Sequence, residues 1–254
     1  MAGHSAYSNI MHRKGRQDAK RAKIFTKLGR EITVAAKLGG GNPDFNPRLR
    51  AALIEARKNS MPNDRIKKAI DNAIGGGDGA NYEETRYEGF GPGGVSIIVD
   101  CLTDNRTRTA NEIRTIFNKR GGNMGESGSV AYLFDRVGVV VYPRAKAKDE
   151  AMFEAAVAAG ADDVLSGDAP IYVAAPDEDG NAVNVHAVYC AVDHLGAVRD
   201  ALAVTFGDAD RAALIWRPNL AVDLPDDETA QGLYTLIDAL EDNDDVQVVT
   251  SNAG

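Results

Sequence analysis

Residues 95–134 read VSIIVDCLTDNRTRTANEIRTIFNKRGGNMGESGSVAYLF, and the hydrophobic period changes twice within them. Val95 to Cys101 is a strand pattern, Thr107 to Arg120 a helix opened by a Thr109/Glu112 capping box, and Ser129 to Phe134 a second strand. This β-α-β half has a counterpart at the other end of the chain. There a short strand near Leu220 to Leu224, a helix from Asp226 to Leu240 and a strand from Val246 to Thr250 repeat the order. Two halves separated by about 80 residues imply one α/β domain opened to receive another.

The intervening residues carry their own pattern. Strand Val137 to Tyr142, helix Asp149 to Ala159, strands Ile171 to Ala175 and Val183 to Cys190 around an Asp-Gly turn, helix Val192 to Phe206 and strand Ala212 to Trp216 give β-α-β-β-α-β, the ferredoxin-like order. The boundary falls near Pro218, although Ala212 to Leu224 also reads as one long strand shared by both domains.

Upstream, helix Asp18 to Leu38 places Ala22, Phe25, Leu28, Ile32, Ala35 and Ala36 on one side, and Lys20, Lys23, Lys27, Arg30 and Lys37 on a separate arc. GGGNPDFNPR breaks it. Asn46 and Pro47 then form an N-cap and first helical residue, and a third helix follows Met61-Pro62 before GGGDGA. The expected fold is α+β and multidomain. A helical bundle (1–78) precedes a discontinuous ferredoxin-like α/β domain (79–136 and 218–254), into which a second ferredoxin-like domain (137–217) is inserted.

The chain has 254 residues, 44% hydrophobic, with a net charge of -8. That total conceals an asymmetry. Up to residue 80 there are 16 Lys+Arg against 7 Asp+Glu, and beyond it 13 against 30. A basic head on an acidic body suggests a polyanion-binding module. No apolar run reaches membrane-span length and no export signal opens the chain, so a cytoplasmic location is expected. Two cysteines without CxxC spacing offer no disulfide or zinc framework.

Several motifs imitate catalytic sites. Gly89, Gly91 and Gly94 satisfy G-x-G-x-x-G but precede a strand instead of opening a helix, so a tight turn is the reading. The loop from Gly121 to Ser129 lacks the Gly-Lys-Ser/Thr ending of a phosphate-binding loop, although its bare N–H groups beside Lys119 and Arg120 suit phosphate contact. His186, Cys190 and His194 are spread over a strand and a following helix, which argues against a metal site. No nucleophile-base pair, cofactor site or small-molecule substrate site can be named. An enzyme with a site between the α/β domains is the contrasting hypothesis. The acidic run from Glu241 to Asp245 reads as a solvated surface, or as a docking surface for a basic partner.

The basic stretch is the strongest functional signal. Arg13, Lys14, Arg16, Lys20, Arg21, Lys23, Lys27 and Arg30 are interrupted only by Asp18. They support phosphate contact without base readout, provided the helix is held apart from the acidic remainder. Arg106, Arg108 and Arg114 form a candidate second patch.

Three segments carry a family resemblance: AGHSAYSNIMHRKGRQDAKRAKIFTKLGREI, YEGFGPGGVSIIVDCLTDNRTRTANEIRTIFNKRGGNMGESGSVAYLFDRVG and LIDALEDNDDVQVV. The chain resembles the YebC/PmpR family, relatives of the mitochondrial translational activator of cytochrome c oxidase. The resemblance implies a three-domain, cytoplasmic, DNA-binding transcriptional regulator without catalytic residues or cofactor. It also implies a role in translation, through the ribosome and its RNA. Ala6, Tyr7 and Met11 stand where Lys, Trp and Lys are common in the family. Its nucleic-acid-binding positions therefore carry over to His12, Arg13, Lys14, Lys20 and Arg21.

Overall fold

The computed structural model describes residues 17–75, 81–174 and 181–254, with side chains of the first helix from Ala22 onward. These residues divide into two compact units, one drawn from 14–129 and 231–249, the other from 130–230 and 250–254.

The first unit begins with α1 (Gln17–Gly39), α2 (Pro47–Lys58) and α3 (Asn63–Ile74). Their shared core is Ile32, Ala35, Ala36, Leu49, Ala52, Leu53, Ala56, Met61 and Ile66, with Phe25 and Leu28 packed against it, while Ala22, expected on the apolar side, is exposed. Truncating a fully buried side chain such as Ile32 would cost about 2–5 kcal/mol. The turn between α1 and α2 is closed by one side chain. Asn46, only 4% exposed, accepts from the Leu49 amide at 3.0 Å and donates to the carbonyls of Ala35 (2.7 Å) and Gly40 (2.8 Å). It thus caps the start of α2 and binds orphan carbonyls at the end of α1. Gly40, at φ 82°, takes the left-handed conformation that ends α1.

The same unit holds β1 (Glu83–Phe90), β2 (Ser96–Thr103), α4 (Arg106–Lys119) and β3 (Asn123–Met124), together with most of α7 (Asp227–Glu241) and β8 (Val246–Ser251). Its sheet runs β3-β1-β2-β8, with β1 antiparallel to both β2 and β3. Three expectations are corrected here. β1 lies in a segment that carried no strand assignment. Residues 129–134 are not a strand: a 3-10 turn occupies Ala131–Leu133, and pairing starts at Phe134. The cap of α4 is Asn105, which accepts from the Arg108 amide at 3.0 Å, while Thr109 is buried and bonded elsewhere. The glycine motif is the β1–β2 turn. A Cβ on Gly91 would lie 2.9 Å from Leu233 Cδ1, and one on Gly89 2.7 Å from the Asn123 carbonyl. The glycines serve close packing in the sheet and its turn.

The second unit contains β4 (Phe134–Pro143), α5 (Asp149–Ala158), β5 (Asp163–Asp168), β6 (Asn184–Cys190), α6 (Leu195–Phe206) and β7 (Arg211–Pro218). Its strands lie in the order β5-β6-β4-β7, every pair antiparallel. Alternation divides the strands between two cores. Val140, Tyr142, Val188 and Cys190 face Met152, Ala156, Val198 and Leu202 of the helices. Val139, Val141, Ala187, Tyr189 and Ile215 lie on the opposite face against Ala169 and Val173. The expected strand at 171–175 is a turn over that second face as far as it is described, closed by Val173 N–H to the Pro170 carbonyl at 2.8 Å. β5 supplies the pairing instead. β7 stops at Pro218, and the expected strand at 220–224 reduces to a single bridge between Val222 and Ala253.

Candidate nucleic-acid interface

His12, Arg13, Lys14 and Arg16 lie outside the described residues, and Lys20 and Arg21 fall on α1 before its described side chains begin. The rest of the basic stripe is not open. Lys23 Nζ sits 2.5 Å from Asp242 Oδ1. Arg30 Nη1 donates to Asp245 Oδ1 at 2.6 Å and to the carbonyls of Asp244 at 2.5 Å and Leu102 at 3.2 Å. Lys27 is partly buried, which holds its pKa below the ordinary lysine value, while the charges of Glu241 and Asp242 work against that. The expectation that this helix face stands apart from the acidic remainder therefore fails for Lys23, Lys27 and Arg30.

The turn that receives them has its own physical logic. Glu241 ends α7 and Asp242 follows it, where carboxylates meet the negative end of the helix dipole and cations are favoured. α1 brings those cations. Asn243 shapes the turn by accepting from the Asp245 amide at 2.9 Å and donating to Glu112 Oε2 at 2.8 Å. Asp245, 3% exposed, is the centre. Its Oδ1 takes Arg30, and its Oδ2 takes Arg108 at 2.7 Å and the Thr109 hydroxyl at 2.6 Å. Burial alone would push its pKa up, but the bonds from Thr109, Arg108 and Arg30 outweigh that and hold it below the usual carboxylate value. Around it lies an open polar groove of about 460 Å³, lined by Arg30, Arg108, Asp104, Glu112 and residues 242–245.

The second patch separates. Arg108 is engaged with Asp245 and, at 2.9 Å, with Asp104. Arg114 projects about 120° away from it around α4. Arg106 and Arg114 are exposed and form no ion pair among the described residues. The Gly121–Ser129 loop, read as a possible phosphate contact, already gives the Gly128 N–H to the Glu88 carboxylate at 2.9 Å.

Besides Arg106 and Arg114, open cations lie at positions that the sequence reading did not single out. Arg57 and Lys58 at the end of α2, and Lys67 and Lys68 on α3, are exposed and make no ion pair among the described residues. Their signal was present in the sequence: on each helix they fall outside the buried positions 49, 52, 53 and 56 or 66. Arg48, by contrast, is clamped bidentately by Glu31 at 2.7 and 3.0 Å and also by Glu84.

His186 is buried in β6 with both ring nitrogens occupied, Nδ1 by Ser166 Oγ at 2.7 Å and Nε2 by the carbonyls of Ala147 (3.0 Å) and Arg144 (3.1 Å). Among the described residues no group of three or more His, Cys, Asp or Glu is placed to hold a metal ion. No described helix is long and apolar enough to cross a membrane.

A helical bundle ahead of two antiparallel-sheet assemblies defines a mixed α/β protein in which Lys23 and Arg30 of the first helix are paired with Asp242 and Asp245. Comparison with known proteins makes the assignment specific. Residues 5–76 match the family model described as the TACO1/YebC protein N-terminal domain, and residues 82–253 the one described as the TACO1/YebC second and third domain. A solved structure of a conserved hypothetical protein from Aquifex aeolicus is similar, with 42% identity and a TM-score of 0.79, covering 96% of this chain and 94% of that one. The chain belongs to the TACO1/YebC family, whose model is named for transcription regulation and not for an enzymatic activity.

Proposed function

We propose that this protein is a non-enzymatic regulator of gene expression that binds nucleic acid, duplex DNA in the first instance, through the cationic surface of its helical domain. The observation that carries this reading is the set of exposed cations Arg57, Lys58, Lys67 and Lys68, which form no ion pair among the described residues, on consecutive helices of the basic end of the chain. Lys20, Arg21 and the cations preceding them extend the proposed surface. Their side chains suit phosphate oxygens, so the contact positions the protein without reading bases. The name of the family model supports the transcriptional role.

The same reading takes the chain as three domains with the boundaries inferred from sequence. The descriptions of the matching family models support that division. The β-α-β-β-α-β order and the strand order β5-β6-β4-β7 support a ferredoxin-like form for the inserted domain.

Titration with a 20-base-pair duplex and with an RNA hairpin over a range of salt tests the reading. If five cations engage B-DNA, log K against log salt slopes near about -4.5, and a flat response refutes phosphate binding. Reversing Arg57, Lys58, Lys67 and Lys68 to Glu should weaken binding without loss of helicity, since none of the four is buried. Crosslinking in cells followed by sequencing separates promoter DNA from ribosomal RNA, the ligand of the alternative, ribosome-associated role.

A further inference from the structure

The contacts between α1 and the Glu241–Asp245 turn are of two kinds. Asp245 and Arg30 are nearly enclosed, their side chains 4% and 15% exposed, and carbonyls and hydroxyls complete their bonding. Such a pair is a permanent fastening, because separating it strands a buried charge. The outer pair differs. Lys23 and Asp242 are 37% and 65% exposed and share one contact, and one turn along α1 the charges of Glu241 and Asp242 also act on Lys27. An exposed pair is weak and screened by salt, so another anion can exchange with the carboxylate. The exchange site also lies on the helix that continues back into Lys20 and Arg21.

We infer that the Glu241–Asp242 edge is an internal phosphate mimic: it pairs with Lys23 and screens Lys27 until a polyanion displaces it, and so restrains the affinity of the helical domain. The inference rests on the nucleic-acid reading for its natural ligand but needs only a polyanion for its chemistry. Arg30 stays fastened to Asp245 throughout, so α1 remains in place while its outer edge changes partner. Binding then begins on the exposed cations Arg57, Lys58, Lys67 and Lys68, and Lys23 and Lys27 join only where phosphate density is high enough to outcompete two carboxylates.

A charge cycle on the full chain tests this, with the 20-base-pair duplex, the RNA hairpin and inorganic polyphosphate as probes. Glu241→Gln with Asp242→Asn should raise affinity about tenfold at low salt. It should also make the duplex salt slope more negative by about 1.8, the contribution of two added phosphate contacts. Lys23→Gln with Lys27→Gln should change little in the parent protein and should cancel the whole gain when combined with the first pair. A gain that persists without the two lysines is only a net-charge effect and overturns the inference, as does the absence of any gain on all three probes. If the cycle appears with polyphosphate while neither nucleic acid binds any variant, the mimic stands and the nucleic-acid reading falls.

Discussion

Asp245→Asn isolates the inner fastening. The substitution keeps the shape of the side chain and its ability to accept from Thr109, but removes the charge that holds Arg30 and Arg108. Breaking a buried pair by removing one partner costs roughly 3–5 kcal/mol, because the surviving charge is left without compensation. Arg30 is the partner to which this applies, since Arg108 is 43% exposed and its share is that of a surface pair, about 0–1 kcal/mol. The expected loss is therefore about 3 kcal/mol, at the low end of the buried-pair range.

Hydrogen exchange resolves where it falls. Amides of α1 and the Leu102 amide, which donates to the Asp245 carbonyl at 2.8 Å, should exchange about 100-fold faster in the variant, whereas amides of β4 and β6 should be unchanged. The wild type should show the same loosening in acid. Because the Asp245 pKa is depressed on folding, its contribution is complete above the unfolded value of about 3.9 and disappears as pH falls through the lower folded value. The variant should lack that acid step. A loss below about 1 kcal/mol would refute the fastening, as would an Arg30→Met/Asp245→Asn double variant whose losses merely add.

Two further outcomes follow from single side chains. Asn46→Ala removes a cap and leaves the Ala35 and Gly40 carbonyls short of a donor, so a urea melt followed by helical circular dichroism should show about 1–3 kcal/mol of destabilisation; Asn46→Asp, which sets a carboxylate oxygen against both carbonyls, should cost at least as much. Cys101 has its thiol pKa pushed up to about 12, first by burial and then by Asp245 and Asp100, so iodoacetamide at pH 8 should leave it unmodified in the folded protein and alkylate it in urea; stoichiometric labelling of native protein at that position would contradict the structure.

The helices were legible because each carries its own evidence: a buried stripe at helical spacing, and at α2 the Asn46-Pro47 start. The strands were less so. β1 (EETRYEGF) is charged at three of its four exposed positions, with burial concentrated at Glu88 and Gly89, and β5 (DVLSGD) is polar at both ends, so neither shows the apolar alternation that marks a strand. Residues 171–175 (IYVAA) mislead in the opposite sense. Val173 is fully buried, yet in a turn laid over a sheet, and hydrophobic pattern reports burial without reporting pairing.

Charge has the same limitation over a longer distance. Lys23 and Arg30 look like the surface of a free cationic helix in any window of sequence, and their partners lie 219 and 215 residues away. Lys67 and Lys68 look no different, and they stay exposed, with no ion pair among the described residues. A basic run therefore records how much positive charge a helix brings to the fold. The share that faces water depends on where the acidic segments return, and here they return at Glu241–Asp245. A test of nucleic-acid binding by charge reversal should begin with Arg57, Lys58, Lys67 and Lys68. Glu at position 23 or 27 would face Asp242 and Glu241 and would confound lost phosphate contacts with repulsion inside the protein.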